Sequence, residues 1–180
     1  METGILTCVS VSEPPEIGIG VSPAFGRPDA GPTMSGLTAR EVVVSLVQGV
    51  ALTGCGVRML RVNASVDVVR IAWEAAQSAT SGIGIGVLAK GTTVLHRADR
   101  SAREILELSP PAPLMDRTAY RSIGTRAARL ARGEPVTVPD TLLADAELIA
   151  DVMDRLKVYG ALERRWCTAE PPVEDLLSLA

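Results

Sequence analysis

With 180 residues, 47% of them hydrophobic and 22% charged, the chain has the length for one domain with a real core and the make-up of an ordinary soluble globular protein. A net charge of −3 and the lack of a basic tail argue against a nucleic-acid or other polyanionic partner. Cys8, Cys55 and Cys167 are scattered and odd in number, and the one histidine, His96, completes no zinc spacing, so no metal site is expected and a reduced, cytoplasmic setting is the default.

Met1-Glu-Thr-Gly has no cationic segment ahead of an apolar one and is not read as a signal peptide. The longest apolar run, Val42 to Cys55, is interrupted by Ser45 and Gln48 and falls short of the roughly 20 residues of a membrane span. Residues 1–15 read as a loose lead-in, 16–139 as an α/β domain and 140–180 as a helical C-terminal extension.

In chain order, Glu16-Ile-Gly-Ile-Gly-Val-Ser22 is a strand whose Ile17, Ile19 and Val21 share one face and whose Gly18 and Gly20 leave the other bare. Phe25, the only phenylalanine, is expected to plug the end of the core. A loop rich in proline and glycine leads to Thr38-Ala-Arg-Glu41, a capping box that starts a helix through Val42, Leu46 and Val50, stopped by Gly54 and Gly56.

Val57 to Val62 alternates as a half-buried strand does. The next helix is expected to be capped by Asn63 or Ser65 and to bury Val66, Val69, Trp73 and Ala76. A second glycine strand follows, Ser81-Gly-Ile-Gly-Ile-Gly-Val87, so strand, helix and strand predict a βαβ unit in a parallel sheet.

After the Lys90-Gly91 turn, Thr92 to His96 doubles back as an antiparallel strand. Arg97 to Glu107 is charged and has room for a helical turn, and Ser109-Pro-Pro-Ala-Pro113 must be irregular or extended. Asp116 caps a helix to about Arg132 with Tyr120, Ile123, Ala127 and Leu130 inward, and Gly133 ends it. Beyond the linker 134–139, a long helix is expected from Asp140 to Tyr159, ended by Gly160, with Val173 to Leu179 a short helix or a tail.

Glycine at alternate positions costs chain entropy and packs nothing, so the bare face implies that a helix backbone or a planar ligand lies directly on it. Phosphate loops do not account for it. The lysine precedes its glycine, which excludes a P-loop, and the stretch runs into another strand rather than opening a helix, which excludes the dinucleotide fingerprint. No nucleophile elbow or triad is present, so no catalytic residue is assigned.

Lys90, with Thr92 and Thr93 beside it, is the leading polar candidate; its alternative is a plain exposed turn lysine. Asp67 falls in the first turn of its helix, where the helix dipole alone explains a carboxylate. His96 reads as a core or edge histidine. Arg117, Arg121, Arg126, Arg129 and Arg132 form a stripe that is either a solvated face or a seat for an acidic partner subunit.

Several motifs in the right order carry a resemblance: Ser81 to His96, Leu106-Glu-Leu-Ser-Pro-Pro-Ala-Pro-Leu114, Tyr120-Arg-Ser-Ile-Gly124 and Ala127-Ala-Arg129, with Val21-Ser-Pro-Ala-Phe-Gly26 and Arg40-Glu-Val42 upstream. They resemble the medium (beta) subunit of adenosylcobalamin-dependent diol and glycerol dehydratases across about residues 16–139. That resemblance implies a three-layer α/β/α fold with a mixed, mostly parallel sheet, in a hetero-oligomer with large and small dehydratase subunits.

In such enzymes the large barrel subunit carries the radical chemistry, 1,2-diol to aldehyde plus water, and the medium subunit forms the lower wall of the adenosylcobalamin site. Matched by position, Asp67, Lys90, Gly91, Thr92 and Pro110 would face the cofactor. The isolated chain would be inactive. The absence of Asp-x-His-x-x-Gly agrees with a class that keeps the cofactor's own lower base.

Two departures stand out. The short N-terminal extension counts against packaging in a bacterial microcompartment, and residues 140–180 do not match the family's usual ending. The rival is the small subunit of the dehydratase reactivating factor, which shares the fold and binds no cobalamin of its own; Ala72-Trp-Glu-Ala-Ala76 and Ala128-Arg-Leu-Ala-Arg-Gly133 lean that way.

Overall fold

The computed structural model describes residues 14–101, 106–109, 112–136 and 158–179. Six strands form one mixed sheet in the order β5-β4-β3-β1-β2-β6, where β1 is Glu16–Val21, β2 Gly56–Val62, β3 Ile83–Val87, β4 Thr93–Arg97, β5 Glu107–Leu108 and β6 Val173–Leu179. β1 runs parallel to both neighbours, with Gly18 opposite Arg58 on one side and Gly84 on the other. β4, β5 and β6 pair antiparallel, so the parallel part is the centre and antiparallel strands flank it.

Helices α1 (Ala39–Ala51) and α3 (Arg117–Ala131) cover one face and α2 (Val68–Ser78) the other. A fourth helix, α4, spans 158–166. The three-layer α/β/α arrangement is therefore present. α1 starts on the expected capping box: Glu41 N–H donates to Thr38 Oγ1 at 3.2 Å, and Thr38 N–H donates back to Glu41 Oε2 at 2.8 Å. The Thr38 amide, joined by Arg117, lowers the Glu41 carboxyl from its ordinary 4.5 to about 2.

Ile17, Ile19 and Val21 of β1 and Ile83, Ile85 and Val87 of β3 are buried with Leu46, Tyr120 and Ile123 in the core between the sheet and α1/α3. Phe25 belongs to that core, as expected. The opposite, glycine face is closed by α2. A Cβ on Gly18 would lie 2.1 Å from Ala75 O, one on Gly84 2.2 Å from Ala72 O, and one on Gly86 2.5 Å from Val68 O. The helix backbone itself occupies the room that side chains would need, so no planar ligand lies on this face.

That settles why α2 buries Ile71, Ala72 and Ala75 along with the expected Ala76, and leaves Val69 and Trp73 only part-buried. Only small residues allow so close an approach. Trp73 is displaced to the rim, where Arg70 stacks on its ring at 4.7 Å and its Nε1 donates to Arg100 O at 3.2 Å. The N-cap is Asp67, not Asn63 or Ser65, and its Oδ1 accepts from Val69 N–H at 3.0 Å. Val66 lies ahead of the helix and is exposed.

Other expectations are corrected downstream. Glu107 belongs to β5, where its buried carboxylate pairs with Arg126, so this arginine is core rather than part of a solvated stripe. Arg117 pairs with Glu41 and Arg121 donates to Gln48 at 2.8 Å, both at the surface. Part of the Arg97–Glu107 segment, and residues 140–157 of the long C-terminal helix, lie outside the described residues. α4 runs through Gly160 to residue 166, and 173–179 is an edge strand, neither helix nor tail.

Candidate functional site

The C-terminal ends of parallel β1 and β3 lie side by side, the chain leaving β1 toward α1 and leaving β3 by a tight turn into β4. In open α/β sheets ligands bind outside the carboxyl ends of the strands. Ser22 N–H donates to Val87 O at 2.9 Å and ties the two strand ends together. From the next strand, Arg61 Nη1 donates to three carbonyls of the turn after β1, Ser22 O at 3.0 Å, Pro23 O at 3.0 Å and Phe25 O at 2.7 Å. Burial, with Arg27 nearby, lowers the Arg61 pKa.

The turn after β3 is held as firmly. Leu88 N–H donates to Thr92 O at 3.0 Å and Gly91 N–H to Leu88 O at 2.8 Å. Gly91 has φ +105°, and a Cβ there would meet the Tyr120 hydroxyl at 2.7 Å, so glycine is required twice over. Tyr120 donates its hydroxyl to Gly91 O at 2.8 Å, and burial pushes its pKa up.

Into this end comes Glu163 of α4, 5% exposed. Its Oε1 accepts from the Ser22 hydroxyl and from Ala89 N–H at 2.8 Å, and its Oε2 accepts from Ala24 N–H at 3.0 Å. The Ser22 hydroxyl also accepts from Ala89 N–H at 3.0 Å. Two backbone amides and a hydroxyl therefore hold one carboxylate, a charge-assisted arrangement.

Beside it lies a cavity of about 140 Å³, with Val66, Leu88 and Lys90 on the sheet side and Tyr159, Gly160, Glu163 and Arg164 on α4. Lys90 is half-buried and its ammonium makes no hydrogen bond or ion pair among the described residues. Burial lowers its pKa, with Glu163 pulling the other way.

Residues 27–137 match the family model described as dehydratase medium subunit, more than half of the chain. The chain belongs to the dehydratase medium-subunit family. Among solved structures it is similar to a glycerol dehydratase reactivase, with a TM-score of 0.55 at 18% identity over 69% of this chain and 96% of that one. A structure of diol dehydratase-reactivating factor complexed with ADP and Mg2+ matches at 24% identity and a TM-score of 0.47, over 70% of this chain and 98% of that one. The likeness to the first, at 18% identity, concerns the fold alone.

Within this family member, the expected site residues divide. Lys90, Gly91 and Thr92 sit together on the β3–β4 turn, Lys90 in the cavity wall, Gly91 buried and Thr92 giving its carbonyl to Leu88. Asp67 is exposed and its carboxylate caps α2; its neighbour Val66, not Asp67, lines the cavity. Pro110 lies outside the described residues.

This chain alone does not enclose a corrin, so a corrin site would need a second subunit. Pockets that enclose even a drug-sized molecule run to about 300–1,000 Å³, against about 140 Å³ beside Lys90, and the glycine face is filled by α2. Sequence reasoning missed Ser22, Arg61 and Glu163. Ser22 stood at the end of a recognised strand, which was signal enough to weigh it; Glu163 had none, because its partner Ser22 is 141 positions away.

Proposed function

We propose that the chain is the medium subunit of a cobalamin-dependent diol or glycerol dehydratase, a hydro-lyase subunit without catalytic residues of its own. It docks on a large catalytic subunit, joined by a small one, and presents the Lys90-Gly91-Thr92 turn to the adenosylcobalamin shared with the large subunit. The family match over 27–137 supports the reading. The observation that carries it at the site is Lys90, an ammonium half-buried on the turn after β3 with no hydrogen-bond partner among the described residues. Desolvating a cation without a partner is unfavourable, so such a group marks a surface completed by something else.

The second reading is the small subunit of a reactivating factor. It is favoured by the roof that α4 places over Lys90, since a subunit without a cofactor needs no open ledge. Reconstitution separates the two. A dehydratase subunit assembles with purified large and small subunits and the complex retains cobalamin absorbance through gel filtration, whereas a reactivase subunit assembles with an actin-like ATPase and retains none. Within an assembled dehydratase, Lys90→Ala should lower cobalamin retention about tenfold while the subunit's own melting curve is preserved. Equal retention in both forms removes Lys90 from the site.

A further inference from the structure

We infer that Ser22, Ala24 and Ala89 form a carboxylate-binding cradle, and that Glu163 is its built-in ligand, a latch that holds α4 as a cover over Lys90. The donors belong to the ends of β1 and β3 and stay fixed without α4: Ser22 is tied to Val87, and the 22–25 turn is pinned by Arg61. The carboxylate arrives on a separate helix beyond the region that matches the family. A preformed set of donors with a tethered acceptor is a receptor and its ligand in one chain.

The rest of the α4 contact is apolar packing of Tyr159, Leu162 and Trp166 against the core, with polar contacts at its rim. Trp166 Nε1 donates to Asp29 Oδ1 at 3.1 Å, Arg165 pairs with Asp29 at 2.9 Å, and Arg27 stacks on Trp166 at 4.5 Å, all at the protein surface. Tyr159 donates its hydroxyl to Pro32 O. Glu163 is the one α4 carboxylate buried in the contact and supplies its buried polar anchor. Surface ion pairs add little.

β6 is anchored independently, by its ladder to β2 and by Thr168 N–H to Asn63 O at 2.9 Å and Asn63 N–H to Pro172 O at 2.9 Å. Opening thus means α4 lifting while 168–179 stays paired. The cavity beside Lys90 loses its α4 wall in that state, and the ledge faces outward. That this admits the large subunit rests on the function proposed above; the latch does not.

The full chain carrying Glu163→Ala, followed by hydrogen exchange, tests the latch. Exchange should quicken about tenfold or more in α4 and at the Ala24 and Ala89 amides, with β2, β6, α1 and α3 unchanged. Sodium acetate should raise the melting temperature of Glu163→Ala above that in sodium chloride of equal ionic strength, and should not do so for the unsubstituted chain.

Glu163→Gln, which keeps the shape and one acceptor, should fall between the two. Unchanged α4 exchange, exchange quickened uniformly through α1 and α3, or an acetate effect common to both chains would each overturn the latch. Glu163→Ala should also bind the large subunit more tightly, and equal affinity overturns the cover. Failure of either chain to bind any large subunit counts against the dehydratase reading, with the latch still judged on exchange.

Discussion

The glycine face of β1 and β3 and the C-terminal ends of the same strands are both closed by helices, yet by opposite means. On the face, α2 meets the sheet backbone to backbone, with Ala72 O and Ala75 O standing where side chains would be. At the ends, α4 meets it through one buried carboxylate and three donors. Contact of the first kind is unforgiving, because close-packed backbone has no rotamer to change. The second kind exchanges hydrogen bonds with water and is worth far less on balance, so it is the end rather than the face that is suited to open.

Gly84→Ala attacks the face and should have the largest effect. Its Cβ would fall 2.2 Å from Ala72 O and 2.3 Å from Ala76 N, neither of which can yield without moving the helix. A loss of about 3 kcal/mol is expected in urea unfolding. A loss under about 1 kcal/mol would mean that α2 does not seal the face as described.

Arg61→Met attacks the end. It removes the donor shared by the carbonyls of Ser22, Pro23 and Phe25 while keeping a similar apolar stem. About 1–3 kcal/mol should be lost, since hydrogen bonds to a charged group are replaced by less well satisfied carbonyls. Unlike Gly84→Ala, it should also speed exchange at Ala24, because the turn that presents this amide is no longer pinned. Unaltered exchange at Ala24 would show that the cradle does not depend on Arg61.

The same contrast explains what was legible in the sequence. Alternating Gly18, Gly20, Gly84 and Gly86 stated that something flat lies on the strands, but a helix backbone and a planar ligand impose the same absence of side chains. Ala72, Ala75 and Ala76, the complementary surface, were present in the sequence; the stripe through Trp73 drew attention to the wrong side of α2. Caps placed the starts of α1 and α3, and Gly133 the end of α3, to within a residue or so, because those signals are local, whereas α1 ends at Ala51, ahead of the expected Gly54.

β6 was hidden for the opposite reason. Glu174, Asp175, Leu176 and Leu177 have no strand preference of their own, and it is the open edge of β2 that draws them into a ladder. Glu163 was hidden likewise, as a lone glutamate acquires meaning only once the strand ends are assembled around it. Lys90 could be singled out by its turn, while its roof could not.

The smallest effect belongs to Lys90 itself and concerns how closed the end is. Burial lowers its pKa below the ordinary 10.5, more than the nearby Glu163 raises it. The unfolded chain therefore binds the proton more tightly, and between the folded pKa and 10.5 stability rises with pH as the folded state sheds a charge it holds poorly. Lys90→Met keeps the apolar stem and removes the charge. It should be more stable than the unsubstituted chain below the folded Lys90 pKa, by less than about 1 kcal/mol for a partly solvated group, and the advantage should shrink to nothing as the pH approaches the unfolded value. Urea midpoints of the two chains across the alkaline range measure that difference. A constant gap at every pH would mean that Lys90 is as well hydrated in the fold as out of it, and that α4 does not roof it.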